Sequence, residues 1–176
     1  MEIVFLSKLK SRELLAKVRG IVGDHDPQSC YECMKCTSGC PVSKIYPEFA
    51  PHKIVSLTRM GFVEDLVKGQ EIWQCAQCLT CKERCPQSVA PSDLIIALRN
   101  IAYIERVDVP KGFKLITKKI YGRGMIGDTA EIMSREMEFF DREVLGLPTI
   151  ELKNVELFQK EMDATKLVKE KKDKDA

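Results

Sequence analysis

Eight cysteines fall in two runs, CYECMKCTSGCP from Cys30 to Pro41 and CAQCLTCKERCP from Cys75 to Pro86, and the chain has no others. Both runs step by three, three and four residues and end on proline. Thiolates are soft ligands and nucleophiles, so three chemistries compete for such a pattern: disulfides, zinc, or iron and sulfide. A reducing cytosol disfavours disulfides. Zinc takes four ligands in a tetrahedron, usually as two pairs separated by a longer loop. Here each run offers three thiols at close spacing and a fourth beyond them. Two zinc sites are the competing reading, and disulfides stand behind that.

The spacing C-x2-C-x2-C-x3-C-P is the bacterial ferredoxin signature, in which the fourth cysteine serves the other of two [4Fe–4S] clusters. It predicts a crossed ligand set. Cys30, Cys33, Cys36 and Cys85 hold one cluster, and Cys75, Cys78, Cys81 and Cys40 hold the other. Proline turns the chain after each fourth cysteine. In the first loop Thr37, Ser38 and Gly39 are small enough for main-chain N–H groups to approach sulfur. Neither run lacks a cysteine, so two complete cubanes are expected. Sites with no free iron corner carry electrons and bind no substrate at the metal.

The elements that must position these loops read as helices. The 34 residues between Cys40 and Cys75 contain APHKIVSLTRMG, with Pro51 early and Gly61 as a stop, and Ile54, Leu57 and Met60 at helical spacing. FVEDLVKG adds a short helix ending at Gly69. After the second run, APSDLIIALRNIAYIERV predicts a longer helix with Ser92 as N-cap and Leu94, Ile95, Leu98, Ile101 and Ala102 on its apolar stripe. The plan "cysteine loop, then helix" thus occurs twice. No alternating strands are visible in the cluster region. Trp73 reads as core packing that shields a cluster from water.

SRELLAKVRGIVG predicts a helix from Ser11 to Gly20 or Gly23. DTAEIMSREMEFFDREVLG predicts another, opened by Asp128 and Glu131 in capping-box spacing. ELKNVELFQKEMDATKL suggests one more, and KLVKEKKDKDA is too polar to fold. GRGMIG, Gly122 to Gly127, matches a dinucleotide-binding pattern, but that pattern counts only between a strand and a helix. It reads here as a loop beside a basic face of Lys118, Lys119 and Arg123, solvated or docking an acidic partner. His25 and His52 lack a nucleophile or acid partner in sequence, so surface or capping roles are expected.

Twenty-eight Lys and Arg oppose 26 Asp and Glu across 176 residues, and apolar residues make up 44%. Such balance offers no broad basic field for nucleic acid. The N-terminus has only a four-residue apolar run, too short for a signal peptide. No stretch nears the roughly 18 apolar residues of a membrane span. A soluble, cytoplasmic protein is expected.

Two such motifs joined by helices resemble the α-helical ferredoxin family, whose members include iron–sulfur subunits of succinate dehydrogenase and fumarate reductase and the C-type subunit of heterodisulfide reductase. SCYECMKCTSGCPV, IWQCAQCLTCKERCPQSV and the later LGLP most resemble that C-type subunit, from about Gln28 to Pro148. The succinate dehydrogenase type carries a plant-type [2Fe–2S] domain ahead of its helical domain, and only 29 residues precede Cys30. It also holds a three-iron cluster, whereas both motifs here are complete. Glycolate-oxidase-type proteins usually continue into Cys-Cys-Gly motifs, and no Cys-Cys pair occurs here.

The resemblance implies an all-α architecture: an N-terminal helical extension over 1–27, an α-helical ferredoxin domain over 28–108, a C-terminal helical extension for partner docking over 109–165, and a disordered tail over 166–176. It implies an electron relay with no active site of its own. Electrons would come from the A-type subunit of heterodisulfide reductase, which holds flavin and iron–sulfur clusters. They would pass to the B-type subunit with its Cys-Cys-Gly motifs, where the coenzyme M–coenzyme B heterodisulfide is reduced in methanogenic archaea. A hydrogenase or formate dehydrogenase would feed the flavin-containing partner through flavin-based electron bifurcation. The competing functions are a free dicluster ferredoxin, an iron–sulfur subunit of the succinate dehydrogenase or glycolate oxidase type, and a redox-sensing scaffold. Free ferredoxins are typically acidic and compact, unlike this near-neutral chain with its extra helices.

Overall fold

A computed structural model describes residues 8–105, 107, 109–127, 132–148, 150 and 152–164. The chain divides into two compact units, Met1–Val109 and Pro110–Ala176. Among the described residues, the regular elements of the first unit are all helical, and the second adds one short two-stranded hairpin to its helices.

The first unit is built on α1 (Lys8–Val22), α4 (Pro51–Arg59), α5 (Val63–Lys68) and α7 (Pro91–Ile104). Between them run two 3-10 turns, Pro27–Ser29 and Glu71–Gln74, and three short helices: α2 (Lys35–Ser38), α3 (Pro41–Ile45) and α6 (Thr80–Glu83). Proline opens α3, α4 and α7 at the first turn, where its missing N–H costs nothing and its fixed φ suits the helix. Gly61, at φ +89°, and Gly69 follow the ends of α4 and α5, as their positions in the sequence predicted.

α7 is the central element. Leu94, Ile95, Ala97, Leu98, Ile101 and Ala102 are buried, and the helix packs on α1, α4, α5 and α6. Leu14 and Val18 of α1, Ile54 and Val55 of α4, and Val63, Leu66 and Val67 of α5 complete the core. Each fully buried aliphatic side chain of this kind contributes about 1.5–3 kcal/mol. The core therefore lies behind the cysteine loops and fixes the helix starts against which they rest.

Two helix boundaries differ from expectation. Ser92 is not the N-cap of α7: Pro91 opens the helix two residues earlier than a Ser92 cap would, Ala90 takes the cap position in the left-handed region, and Ser92 lies buried in the first turn. α1 is already helical at Lys8, before Ser11, and it ends at Val22 with Gly23 left-handed.

The second unit contains α8 (Lys111–Arg123), the strands β1 (Ile132–Met133) and β2 (Phe139–Phe140), and α9 (Val155–Ala164), which packs on α8. The helix expected from Asp128 to Gly146 is not formed in its described part. β1 and β2 pair antiparallel, with Ile132 opposite Phe140 and Met133 opposite Phe139, and turns follow to Gly146. Ser134 starts the hairpin turn by donating its N–H to Glu138 O at 2.8 Å, and Met137 sits at φ +63°. Asp128 and Glu131, the proposed capping pair, lie outside the described residues, as does the 166–176 tail. GRGMIG is the end of α8: Gly122 and Arg123 are helical, and Gly124 takes the left-handed cap at φ +71°. No strand leads into it among the described residues, so the dinucleotide pattern has no structural setting here.

Candidate metal centre: two cysteine cavities

Each cysteine loop has the same local build. Glu32 and Met34 in the first loop, and Gln77 and Leu79 in the second, are left-handed, at φ between +53° and +61°. These turns wrap the main chain around the thiols. Glu32 N–H points at Cys30 Sγ and Gln77 N–H at Cys75 Sγ, both at 3.4 Å. Val89 N–H points at Cys85 Sγ at 3.3 Å. Met34 and Leu79 then act as the N-caps of α2 and α6, which carry Cys36 and Cys81.

Two cavities, each of about 320 Å³ including the open mouth, lie against these loops. Cys30, Cys33, Cys36 and Cys85 line one, together with His52 and Val55 of α4 and Pro91 of α7. Cys75, Cys78, Cys81 and Cys40 line the other, with Pro51 of α4 and Ser92 and Ile95 of α7. Three thiols of each cavity come from one run and the fourth from the other. All eight cysteines are free thiols, with Cys33 and Cys78 exposed and Cys40 and Cys81 buried.

The cavities are related by an approximate internal repeat. Second-run cysteines lie 45 positions after their counterparts, and the helix residues APSD at 90–93 lie 40 positions after APHK at 50–53. His52 of one cavity thus corresponds to Ser92 of the other, and Val55 to Ile95. At the contact between the loops, Gly39 and its counterpart Arg84 touch, and a Cβ on Gly39 would run into the Arg84 side chain. Space for Arg84 is thus a concrete reason for glycine there.

The thiols differ in their electrostatics. Burial pushes Cys81 up to about 11 against the pull of Ser92, and it raises Cys36 against hydrogen bonds from Thr37. Cys75 is also raised by burial, with Gln77 N–H and the Arg99 cation acting the other way. Exposed Cys78 is lowered, chiefly by the Thr80 hydroxyl. Donors aimed at sulfur stabilise the thiolate, the form that binds metal. The residues thus suit a group that takes four thiolates and hydrogen bonds at its sulfurs.

A family of 4Fe–4S dicluster domains matches residues 26–89, which contain all eight cysteines. Residues 26–89 form a 4Fe–4S dicluster domain. It is the domain type that carries two [4Fe–4S] clusters. The chain is also similar to the C-type iron–sulfur subunit of the CoB–CoM heterodisulfide reductase of Methanopyrus kandleri, 37% identical over 75 residues, covering 43% of this chain and 38% of that protein. The second C-type iron–sulfur subunit of the same reductase from Methanocaldococcus jannaschii is 36% identical over 75 residues, covering 43% and 39%. The C-type subunit of the H2:CoB–CoM heterodisulfide,ferredoxin reductase of Methanothermobacter thermautotrophicus is 29% identical over 91 residues, covering 52% and 48%. The likeness therefore spans less than half the length of each of these relatives. None of the described helices is long and apolar enough to cross a membrane.

Other residues singled out in the sequence take places around the dicluster domain. Trp73 packs against the core, with the Arg99 guanidinium 5.5 Å from its ring centre. His25 bonds Ser88 O through Nδ1, and its Nε2 lies 3.9 Å from Asp93, tying the chain before the first motif to the chain after the second. His52 is more than a surface histidine. It lines a cavity, its Nδ1 lies 2.7 Å from Thr37 Oγ1, and its main-chain N–H donates to that oxygen at 3.1 Å. Thr37 thereby caps α4 from the cysteine loop. The repeat of APHK and APSD was the signal in the sequence that could have found His52.

Proposed function

We propose that this chain is the electron-carrying iron–sulfur subunit of a heterodisulfide reductase type of complex. Cys30, Cys33, Cys36 and Cys85 hold one cluster, and Cys75, Cys78, Cys81 and Cys40 hold the other. The observation that carries this reading is the pair of cavities, each lined by three thiols of one run and the fourth of its neighbour. When bound, each cluster supplies a one-electron couple. The chain's own residues set the conditions: thiols fix the site, N–H groups of Glu32, Gln77 and Val89 stabilise sulfur charge, and Val55, Ile95 and Phe49 line the walls with apolar surface. Hydrogen bonds to sulfur and solvent exposure are the levers that tune such potentials.

In this reading the flavin-containing A-type partner donates electrons, and the B-type partner consumes them in reducing the coenzyme M–coenzyme B heterodisulfide. A hydrogenase or formate dehydrogenase stands upstream, and the complex is soluble and cytoplasmic. The relatives' names support the reductase assignment. The deciding experiment is an anaerobic pull-down of the native protein with iron and acid-labile sulfide assayed on the product. Eight irons per chain with a flavoprotein and a Cys-Cys-Gly-rich partner would support the complex. Eight irons in a partnerless chain would instead make it a free ferredoxin. Cys85→Ser tests the crossing, because it should perturb the cluster of Cys30, Cys33 and Cys36. Damage confined to the cluster of Cys75, Cys78 and Cys81 would refute it.

A further inference from the structure

The third cysteine of each run sits in a helix of only four residues, Cys36 in α2 and Cys81 in α6. A single turn has little stability of its own, because it fixes several dihedrals for one hydrogen bond. Each turn is held instead by a side chain that joins it to the first turn of the helix after its run. In the first half Thr37, next after Cys36, meets His52 of α4. Thr37 Oγ1 lies 2.7 Å from His52 Nδ1 and accepts His52 N–H at 3.1 Å. In the second half Lys82, next after Cys81, meets Asp93 of α7, its Nζ donating to Oδ2 at 2.8 Å. Thr37 and Lys82 are counterparts in the loop repeat. Their partners are not, since Asp93 corresponds to Lys53 and His52 to Ser92. The same join is thus made by different chemistry, a hydroxyl–imidazole pair in one half and an ion pair in the other.

We propose that Thr37–His52 and Lys82–Asp93 are separate latches, each positioning the third thiol of its own cluster site, so that one site can be loosened without the other. The proposal rests on the reading of the two runs as cluster ligands. The third thiol is the one a latch can govern: Cys81 is buried and Cys36 half-buried, while the middle thiols Cys33 and Cys78 are exposed. Each latch also reaches the helix start that walls the same cavity. His52 itself lines the cavity of Cys36, and Ser92, beside Asp93, lines that of Cys81. Ser92 Oγ donates to Asp93 Oδ1 at 3.2 Å, and His25 Nε2 lies 3.9 Å from Oδ2 of the same carboxylate. Asp93 therefore carries more than the latch, and Lys82 is the cleaner place to break it. In the first loop Glu32 adds a tie to Arg59 and Ser56. Comparing each variant with the wild type at the same site leaves that tie in place.

The test follows each cluster as it leaves the loaded chain. Iron is assayed first, and a native chain without two clusters overturns the proposed function and the latches with it. The anaerobic protein then meets an excess of iron chelator, and freed thiols are trapped with iodoacetamide and located by mass spectrometry. Labelling of Cys30, Cys33 and Cys36 reads the first site, and labelling of Cys75, Cys78 and Cys81 the second. Lys82→Met should release the second site about threefold faster, as suits a partly exposed ion pair, and leave the first unchanged. Lys82→Arg should restore the wild-type rate. His52→Ala should do the opposite, releasing the first site about fivefold faster and sparing the second. His52→Asn, whose amide can still meet the Thr37 hydroxyl, should keep most of the wild-type rate. Equal acceleration of both sites by either variant, or no acceleration, would overturn the latches, as would Lys82→Arg releasing as fast as Lys82→Met. A Lys82→Met chain isolated with the first cluster alone supports them, and one that holds neither cluster refutes them. Cys40 labelled in step with Cys36 would overturn the crossed ligand set, a separate result from the two release rates.

Discussion

Leu79 and Met34 give the sharpest test of how the cysteine loops are built. Both are left-handed, at φ +61° and +60°, and each lines a cavity with a side chain about half exposed. An L-residue in that conformation costs about 1–2 kcal/mol, which glycine avoids. Glycine loses about 0.5–1 kcal/mol more backbone entropy than alanine on folding. Leu79→Gly should therefore be more stable than Leu79→Ala by about 0.5–1 kcal/mol, the opposite of the order inside a helix. Both variants lose the same apolar cover, so their comparison isolates the backbone. The assay is the rate at which cluster absorbance disappears when loaded protein is diluted anaerobically into guanidinium chloride. A 1 kcal/mol difference in native-state strain corresponds to roughly a fivefold difference in that rate. Alanine losing its cluster as slowly as glycine, at both 34 and 79, would refute the account of strained, cluster-covering turns.

Other consequences follow from the same structure. Leu98→Ala empties a fully buried position on the central helix and should cost about 2–5 kcal/mol, read as a lowered denaturation midpoint. Thr37→Val removes the acceptor for His52 N–H and should cost about 1–3 kcal/mol, with faster hydrogen exchange at the start of α4. In reduced, metal-free protein at pH 8, iodoacetamide should modify Cys78 well before Cys81. A lowered thiol is more thiolate at that pH, and one raised to about 11 is nearly all thiol. The Cys81 shift also gives a stability trend. Its folded pKa lies above the ordinary value, so its contribution is full below about pH 9 and fades as pH rises toward 11. Metal-free protein whose denaturation midpoint rises between pH 9 and 11 would contradict that sign.

The chemistry was legible because it sits in spacing. Two runs with one rhythm named the cluster type, proline and glycine marked α4 and α5, and an apolar stripe marked α7. Local competition hid the rest. At Ser92 a good capping residue stood beside a proline, and proline took the helix start. Over residues 132–140, Ile132, Met133, Met137 and Phe140 can be fitted to a helical face, but the chain turns at Met137 without a glycine to announce it. α8 is masked in the sequence by its density of lysines and by the glycines at 122, 124 and 127, which together read as a polar loop. The residue-by-residue correspondence of the two halves was hidden for another reason. The loops repeat at 45 positions and the helices at 40, so no single offset aligns the two halves.

The shared lining of the cavities also bears on assembly. A half-chain with one cysteine loop and its helix carries three thiols for its own cavity and one for its neighbour's. Alone, it could complete neither. Under the ligand assignment proposed above, loading becomes a joint event, since each cluster needs a thiol from both halves.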